Sequence, residues 1–365
     1  MPQASFTPRS VRPGTGFGAT SKFMAQYGPE QQMLKVARVA IWNLQWQVSG
    51  FVAAKPTIDP KILTGRFVDG SDVEGIDLRA SVVDTPWEVL DYQTCRLLLT
   101  ITVALYENWC HELCKSFQLS GIIVSANKRK YEDGLQWPDP YPGHSGMNIS
   151  SVITNLTSND GVSPGMTHIA NRVQSTQVNV STFSPRMTVY RMFKEARNAI
   201  AHQGGVATKR LCTAYNECTS IVPADLGMRI VPSLDTPALG RHVQLSWRSI
   251  IGFADMLRRM VVDVDHLLMS TQTAMQDLSL RLRGDPLALV DPALADTLIK
   301  QRAWAKSPGG PWIAVSSQIR YGQGAVRHAL ERLMSYPVRR DDLMALWPEL
   351  LANGAVEIRQ NLREV

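Results

Sequence analysis

The chemistry this chain could perform is concentrated between Val189 and Gly205, V-Y-R-M-F-K-E-A-R-N-A-I-A-H-Q-G-G. Arg197 is followed at once by Asn198, and His202 lies five positions beyond the arginine. A guanidinium holds a phosphate in a two-pronged fork, and an imidazole takes up and releases protons near neutral pH. Together they are enough to break a phosphodiester. The pair must first be brought together, because residues five apart on one ideal helix diverge by roughly 140°. Convergence needs either a last turn that loosens around His202 or two copies of the motif meeting across a dimer.

The elements that position these residues are legible. Val189, Phe193, Ala196 and Ile200 recur every three or four residues, which predicts an amphipathic helix. Gly204 and Gly205 follow, and glycine in the left-handed region stops a helix. A second pair, Arg259 and His266, lies one heptad apart beside Asp263 and Asp265 with no glycine stop, and reads as a solvated helix face.

The details of the first pair carry a resemblance. Arg197, the polar Asn198 directly after it, a short small-apolar spacer, His202 and a glycine stop together resemble the signature of the HEPN family. The resemblance extends over about residues 31–270, although only the motif helix is diagnostic. It implies a compact helical bundle in which two protomers pair their motifs into one cleft. Many members are metal-independent endoribonucleases of toxin–antitoxin, abortive-infection and CRISPR-linked defence systems. Carried over, the match gives phosphate contact or transition-state support to Arg197, a polar orienting role to Asn198 and proton transfer to His202. One subfamily has a tyrosine two residues after the histidine that a partner nucleotidyltransferase modifies; here that position is Gly204. The expectation is a homodimeric endoribonuclease acting on RNA, a toxin or anti-phage effector, with an antitoxin or protein trigger as a further partner. The alternative is a non-catalytic RNA- or protein-binding or sensor module, with Arg197 at a dimer seam and His202 an ordinary helix-end histidine.

Bulk properties fit a soluble, cytoplasmic protein. The 365 residues carry a formal net charge of +6 and a sequence pI of about 9.1, which suits a polyanionic partner. No apolar run approaches the ~18 residues a membrane span needs, and the basic start has no apolar segment behind it. The 5 cysteines show no zinc-type spacing; Cys110 and Cys114, one turn apart around His111, read as packed thiols. The chain lacks a Walker-type phosphate loop, a dinucleotide-binding glycine signature, a His-Glu-x-x-His pair and a nucleophile elbow. No metal and no cofactor is expected.

Along the chain, residues 1–28 read as a disordered tail rich in Pro, Gly, Ser and Thr. Residues 29–275 read as the helical domain and 276–365 as a basic C-terminal helical module. The domain opens with a helix over 30–48 whose stripe is flanked by Trp42 and Trp46, which read as core residues, with base-stacking platforms as the alternative. Short strands are expected near 62–68. Pro86 then starts a long helix to about Leu119, with Leu90, Leu97, Ile101, Ala104, Leu105, Trp109, Leu113 and Phe117 inward and Glu107, Asn108 and His111 on or beside the buried side. Glu107 is a candidate for orienting His202 or contacting substrate, or for a structural ion pair. The stretch 120–184 reads as a long insertion. Its Lys128-Arg129-Lys130 triplet, followed by Tyr131, Trp137 and Tyr141, matches either a single-stranded RNA contact or a solvated loop. His144 and His168 read as loop residues. After the motif helix, 228–231 and 242–245 read as a small β-hairpin, and Trp247, Ile250, Ala254, Leu257, Val261, Val264 and Leu268 as the stripe of a last long helix. Further helices are expected near 292–304, 324–336, 339–351 and 355–362. The fold class is mainly α, an elaborated HEPN-like bundle.

Overall fold

The computed structural model describes residues 15–119, 160–173, 178, 180–284, 304–306, 312–315, 319–334, 336–353 and 355–359. It is mainly helical. The helices are α1 (Gly18–Ala54), α2 (Pro60–Val68), α3 (Trp87–Leu119), α4 (Pro164–Val173), α5 (Phe183–His202), α6 (Lys209–Cys218), α7 (Pro223–Leu226), α8 (Trp247–Leu268), α9 (Gln272–Gly284), α10 (Ile319–Met334) and α11 (Arg340–Ala352). Three short strands form one sheet: β1 (Trp304–Lys306) runs antiparallel to β2 (Trp312–Val315), which runs parallel to β3 (Val356–Arg359). Among the described residues no helix is long and apolar enough to cross a membrane. The chain divides into two compact units, one of Met1–Met24, Tyr106–Ser184 and Arg258–Val365, the other of Ala25–Leu105 and Pro185–Leu257.

The first unit is tied together by carboxylates that reach backbone donors. The opening N–H groups of a helix have no partner within it. At the start of α1, Gly16 N–H donates to Asp265 Oδ2 at 2.7 Å, Phe17 N–H to Asp265 Oδ1 at 3.1 Å, and Gly18 N–H to Asp277 Oδ2 at 2.9 Å. Arg281 completes the clasp, its Nε donating to Asp277 at 2.8 Å and its Nη1 to the Leu333 carbonyl at 2.9 Å. Residues 15–28, expected as part of a loose tail, are therefore held, and Phe17 is fully buried. The helix runs on through Gly28 and Pro29, so the expected start at residue 30 is late. Asp265 is likewise not on a solvated face; it is fully buried.

Elsewhere in this unit α4 lies against α11 at Gly165, where a Cβ would sit 2.8 Å from the Ala345 carbonyl oxygen. Arg172 reaches the buried Asp342 at 2.5 Å, and the same carboxylate accepts from Arg339 N–H at 2.7 Å at the head of α11. His168 belongs to α4, with Nε2 3.3 Å from Asp342, rather than to a loop. The helix expected over 355–362 is instead β3, because Val356–Arg359 completes the sheet beside β2. The expected 292–304 helix lies outside the described residues except at its end, where Trp304 is in β1.

In the second unit the strands expected near 62–68 are α2. Asp59 caps it, accepting from Lys61 N–H at 2.7 Å, and Pro60 occupies its first turn. Leu63 of α2 joins Val48 and Val52 of α1, Leu78 and Val82 in a small core. Arg38 lies 2.5 Å from Asp91 and has its guanidinium 5.4 Å from the Trp87 ring centre and 5.1 Å from that of Trp247. The buried face of α3 agrees with the expected one only in part: Trp109 and Leu113 are buried as expected, but so are Cys95, Leu98, Leu99 and Val103, whereas Leu97 is 50% exposed. Trp42 and Trp46 are not core residues either. Trp46 is 63% exposed and Trp42 packs edge-on against Trp87.

Asp265 yields a stability prediction. Burial pushes its carboxyl above the usual carboxylate range, against the opposing pull of hydrogen bonds from Thr20, Gly16 and Phe17. A raised acid favours its protonated form in the folded chain, so this contribution is complete below the ordinary Asp range near pH 4 and is lost as pH rises through the folded value. Asp265→Asn is expected to remove that slope in thermal melts recorded from about pH 4 to about pH 7. Asp265→Ala, which leaves two buried N–H donors unpaired, is expected to cost about 1–3 kcal/mol per donor at about pH 4, and less as pH rises through the folded value.

Candidate functional site at the end of the fifth helix

The motif helix is anchored by the stripe expected of it. Val189, Met192, Phe193, Ala196 and Ile200 are buried, and the Phe193 ring stacks on Phe253 of α8 with centroids 4.3 Å apart. On its flank α6 is capped by Thr208, whose hydroxyl accepts from Leu211 N–H at 3.2 Å. The Cys218 thiol of α6 donates to the Thr188 carbonyl at 3.4 Å, and Arg191 pairs with Glu217 at 3.0 Å.

The end of α5 is regular up to the histidine. Gln203 N–H donates to the Ala199 carbonyl at 2.9 Å, the ordinary i to i−4 bond, so the last turn does not loosen around His202. Arg197 and Asn198 are half-buried in the stem; His202, the final helical residue, is exposed. With the turn intact, Arg197 and His202 leave the helix in directions roughly 140° apart. One protomer does not bring them together along the helix.

Gly204 and Gly205 then take φ of 61° and 84°, the left-handed region that favours glycine. Gly205 N–H folds back to the Ala199 carbonyl at 3.0 Å. The reversed chain is gripped by a distant segment: Val243 N–H donates to Gly205 O at 2.9 Å and Ala207 N–H to Arg241 O at 2.7 Å, with Val206 bridged to His242. The expected hairpin between 228–231 and 242–245 is therefore absent. The second segment spends its backbone bonds on the motif turn, and Ile230 in the first is 52% exposed.

This pairing introduces residues that the sequence reading left out of the site. A Cβ placed on Gly205 would lie 3.3 Å from Tyr92 Oη and 3.4 Å from His242 Nδ1. A phenol and a second imidazole thus flank one point three residues beyond His202. Burial raises the Tyr92 phenol above its ordinary value, against the pull of Arg96, whose guanidinium lies 5.9 Å from the Tyr92 ring centre. The one available signal for His242 was charge: neither 196–216 nor 236–254 contains an Asp or Glu.

The other candidates fall elsewhere. Glu107 is half-buried on α3 in the first unit, whereas the motif end of α5 belongs to the second; Asn108 and His111 are exposed. Lys128, Arg129 and Lys130 lie outside the described residues, as does His144. Burial, reinforced by a neighbouring carboxylate (Asp91 and Glu217 respectively), pushes the Cys95 and Cys218 thiols up to about 12, which keeps them protonated. Among the described residues, no group of three or more His, Cys, Asp or Glu side chains is placed to hold a metal ion. No protein-family model, no curated protein and no solved structure matches this chain.

The two glycines make different predictions. Gly204 has no heavy atom within 4 Å of a built Cβ, so Gly204→Ala is expected to cost only the left-handed penalty, about 1–2 kcal/mol. Gly205→Ala adds close contacts with Tyr92 and His242, and is expected to melt at a lower temperature than Gly204→Ala. Equal melting temperatures would mean that the Tyr92–His242 bracket is loose.

Proposed function

We propose that this protein is a metal-independent endoribonuclease of HEPN type that works as a homodimer, a toxin or anti-phage defence effector. The observation that carries the reading is the end of α5. An Arg-Asn pair in a half-buried stem precedes an exposed histidine on the last helical residue, and two left-handed glycines close the helix. His202 exchanges a proton with the ribose 2′-hydroxyl or the 5′-oxygen leaving group. Arg197, from the second copy of the motif across a two-fold axis, steadies the charge growing on the phosphate oxygens. Asn198 orients. Cleavage through the 2′-hydroxyl leaves a 2′,3′-cyclic phosphate and spares DNA.

A partner-binding reading rests on a separate observation. No charged residue lies between Arg38 and Lys55, and within that stretch of α1 Val39 and Trp46 are each more than half exposed, as are Met33 and Val36 to either side of Lys35. An exposed apolar helix face suits a protein trigger or antitoxin. Growth arrest on expression, relieved by His202→Ala, separates the effector from a pure binding module.

The decisive test is labelled RNA in excess chelator. Arg197→Ala and His202→Ala are each expected to lower cleavage about 100-fold or more while the fold persists. Mixing the two inactive variants is expected to restore about a quarter of wild-type activity, since half the dimers are mixed and each has one intact site. Full activity in both single variants removes the reading.

A further inference from the structure

We propose that His242 is the second proton-transfer residue of this site, paired with His202 of the same chain, with Tyr92 binding the scissile phosphate of RNA between them. The proposal rests on the ribonuclease reading above and names the group which that reading lacks. Breaking a ribonucleotide linkage moves two protons, one off the 2′-hydroxyl and one onto the 5′-oxygen. One histidine cannot serve both ends at the same instant, and Arg197 remains charged throughout. A second proton-transfer group is what the chemistry requires, and an imidazole from the same chain can supply it.

The backbone brings one there. The bridge between Val206 and His242 and the bonds from Val243 to Gly205 and from Ala207 to Arg241 hold residues 241–243 against the turn that follows His202. Both His202 and His242 are exposed. Gly205 has no side chain, and Tyr92 Oη and His242 Nδ1 both pack close to it, so that an added Cβ would lie only 3.3 Å and 3.4 Å from them. The half-buried phenol, kept protonated by burial, is a hydrogen-bond donor for a phosphate oxygen.

Charge points the same way. The two paired segments, 196–216 and 236–254, carry Lys209, Arg210, Arg241 and Arg248 at exposed positions and no carboxylate. The titratable and charged groups near His242 include the Tyr92 phenol, Arg96 beside that phenol and Arg241 adjoining in the chain; of the two carboxylates nearest Tyr92 along its helix, Glu88 and Asp91, the latter is paired with Arg38. A polyanion is the ligand such a corner accepts.

The step balances. One imidazole takes the 2′-hydroxyl proton as the O2′–P bond forms. The other, entering as imidazolium, gives its proton to O5′ as the P–O5′ bond breaks. The products are a 2′,3′-cyclic phosphate and a 5′-hydroxyl, and the two rings leave with exchanged protonation states.

The experiment is cleavage of a labelled single-stranded RNA in chelator by the full-length protein, followed across pH. Wild type is expected to give a bell-shaped profile. His242→Ala should fall about 100-fold or more, lose one limb of the bell and regain activity with added imidazole. Because the two histidines act in one chain, mixing His202→Ala with His242→Ala should restore nothing, unlike the mixture of Arg197→Ala with His202→Ala. Wild-type rate and profile in His242→Ala overturn the proposal and leave the Arg197–His202 reading standing. Recovery on mixing the two histidine variants overturns the same-chain pairing, and no cleavage by wild type overturns both readings. If His242→Ala lowers the melting temperature, His242→Asn, which keeps a polar side chain, is judged by the same criteria.

Discussion

Two consecutive left-handed residues, Gly204 and Gly205, are the constraint on which the functional corner depends. A helix that has run for five turns on a buried aromatic face must stop abruptly, so that its last residue stands in solvent while the next ones are captured. L-amino acids with side chains resist that backbone region at one position and resist it twice over at two. Glycine removes the steric cost and also removes the side chain that would fill the space beside Tyr92 and His242. Stop, turn and the close approach of Tyr92 and His242 therefore share one cause. The rest of the second unit serves to hold α5 on one side and the 240–243 segment on the other.

The first unit is organised by a different force. Its N-terminal helix start is held by Asp265 and Asp277, carboxylates more than two hundred residues away in the chain. These ionisable groups act as caps, replacing the missing carbonyl acceptors that water would otherwise supply. One of them, Asp265, is buried deeply enough for its own ionisation to become a variable of stability. The clasp also explains why residues 15–28, a stretch poor in periodicity, are held in the fold.

How much of this was legible in the sequence depends on range. The stripes of α5 and α8 were, because Phe193, Ala196, Ile200, Ile250, Leu257 and Val264 repeat within a turn or two and all are buried. The α2 helix was legible but misread: the apolar Ile62 and Leu63 suggested a strand, while Asp59-Pro60 ahead of them is a helix start. What failed was pairing at a distance. Residues 242–245 alternate like a strand, and nothing local says that their partner is the motif turn rather than 228–231. The same holds for Val356–Arg359, a strand only because β2 lies beside it. The motif itself was visible by residue type and its stop by glycine. That the turn around His202 stays tight, and that His242 and Tyr92 close around Gly205, are consequences of tertiary contacts between segments tens to more than a hundred residues apart in the chain.

The claim at the centre of this account is a chemical one, that the linkage broken is attacked by its own ribose hydroxyl with imidazole proton transfer. The chemical identity of the new RNA ends reports on it most directly. Mass spectrometry of fragments made in the presence of chelator is predicted to find a 2′,3′-cyclic phosphate on one side of each cut and a 5′-hydroxyl on the other. Fragments ending in 3′-hydroxyl and 5′-phosphate, or RNA left whole, would contradict it.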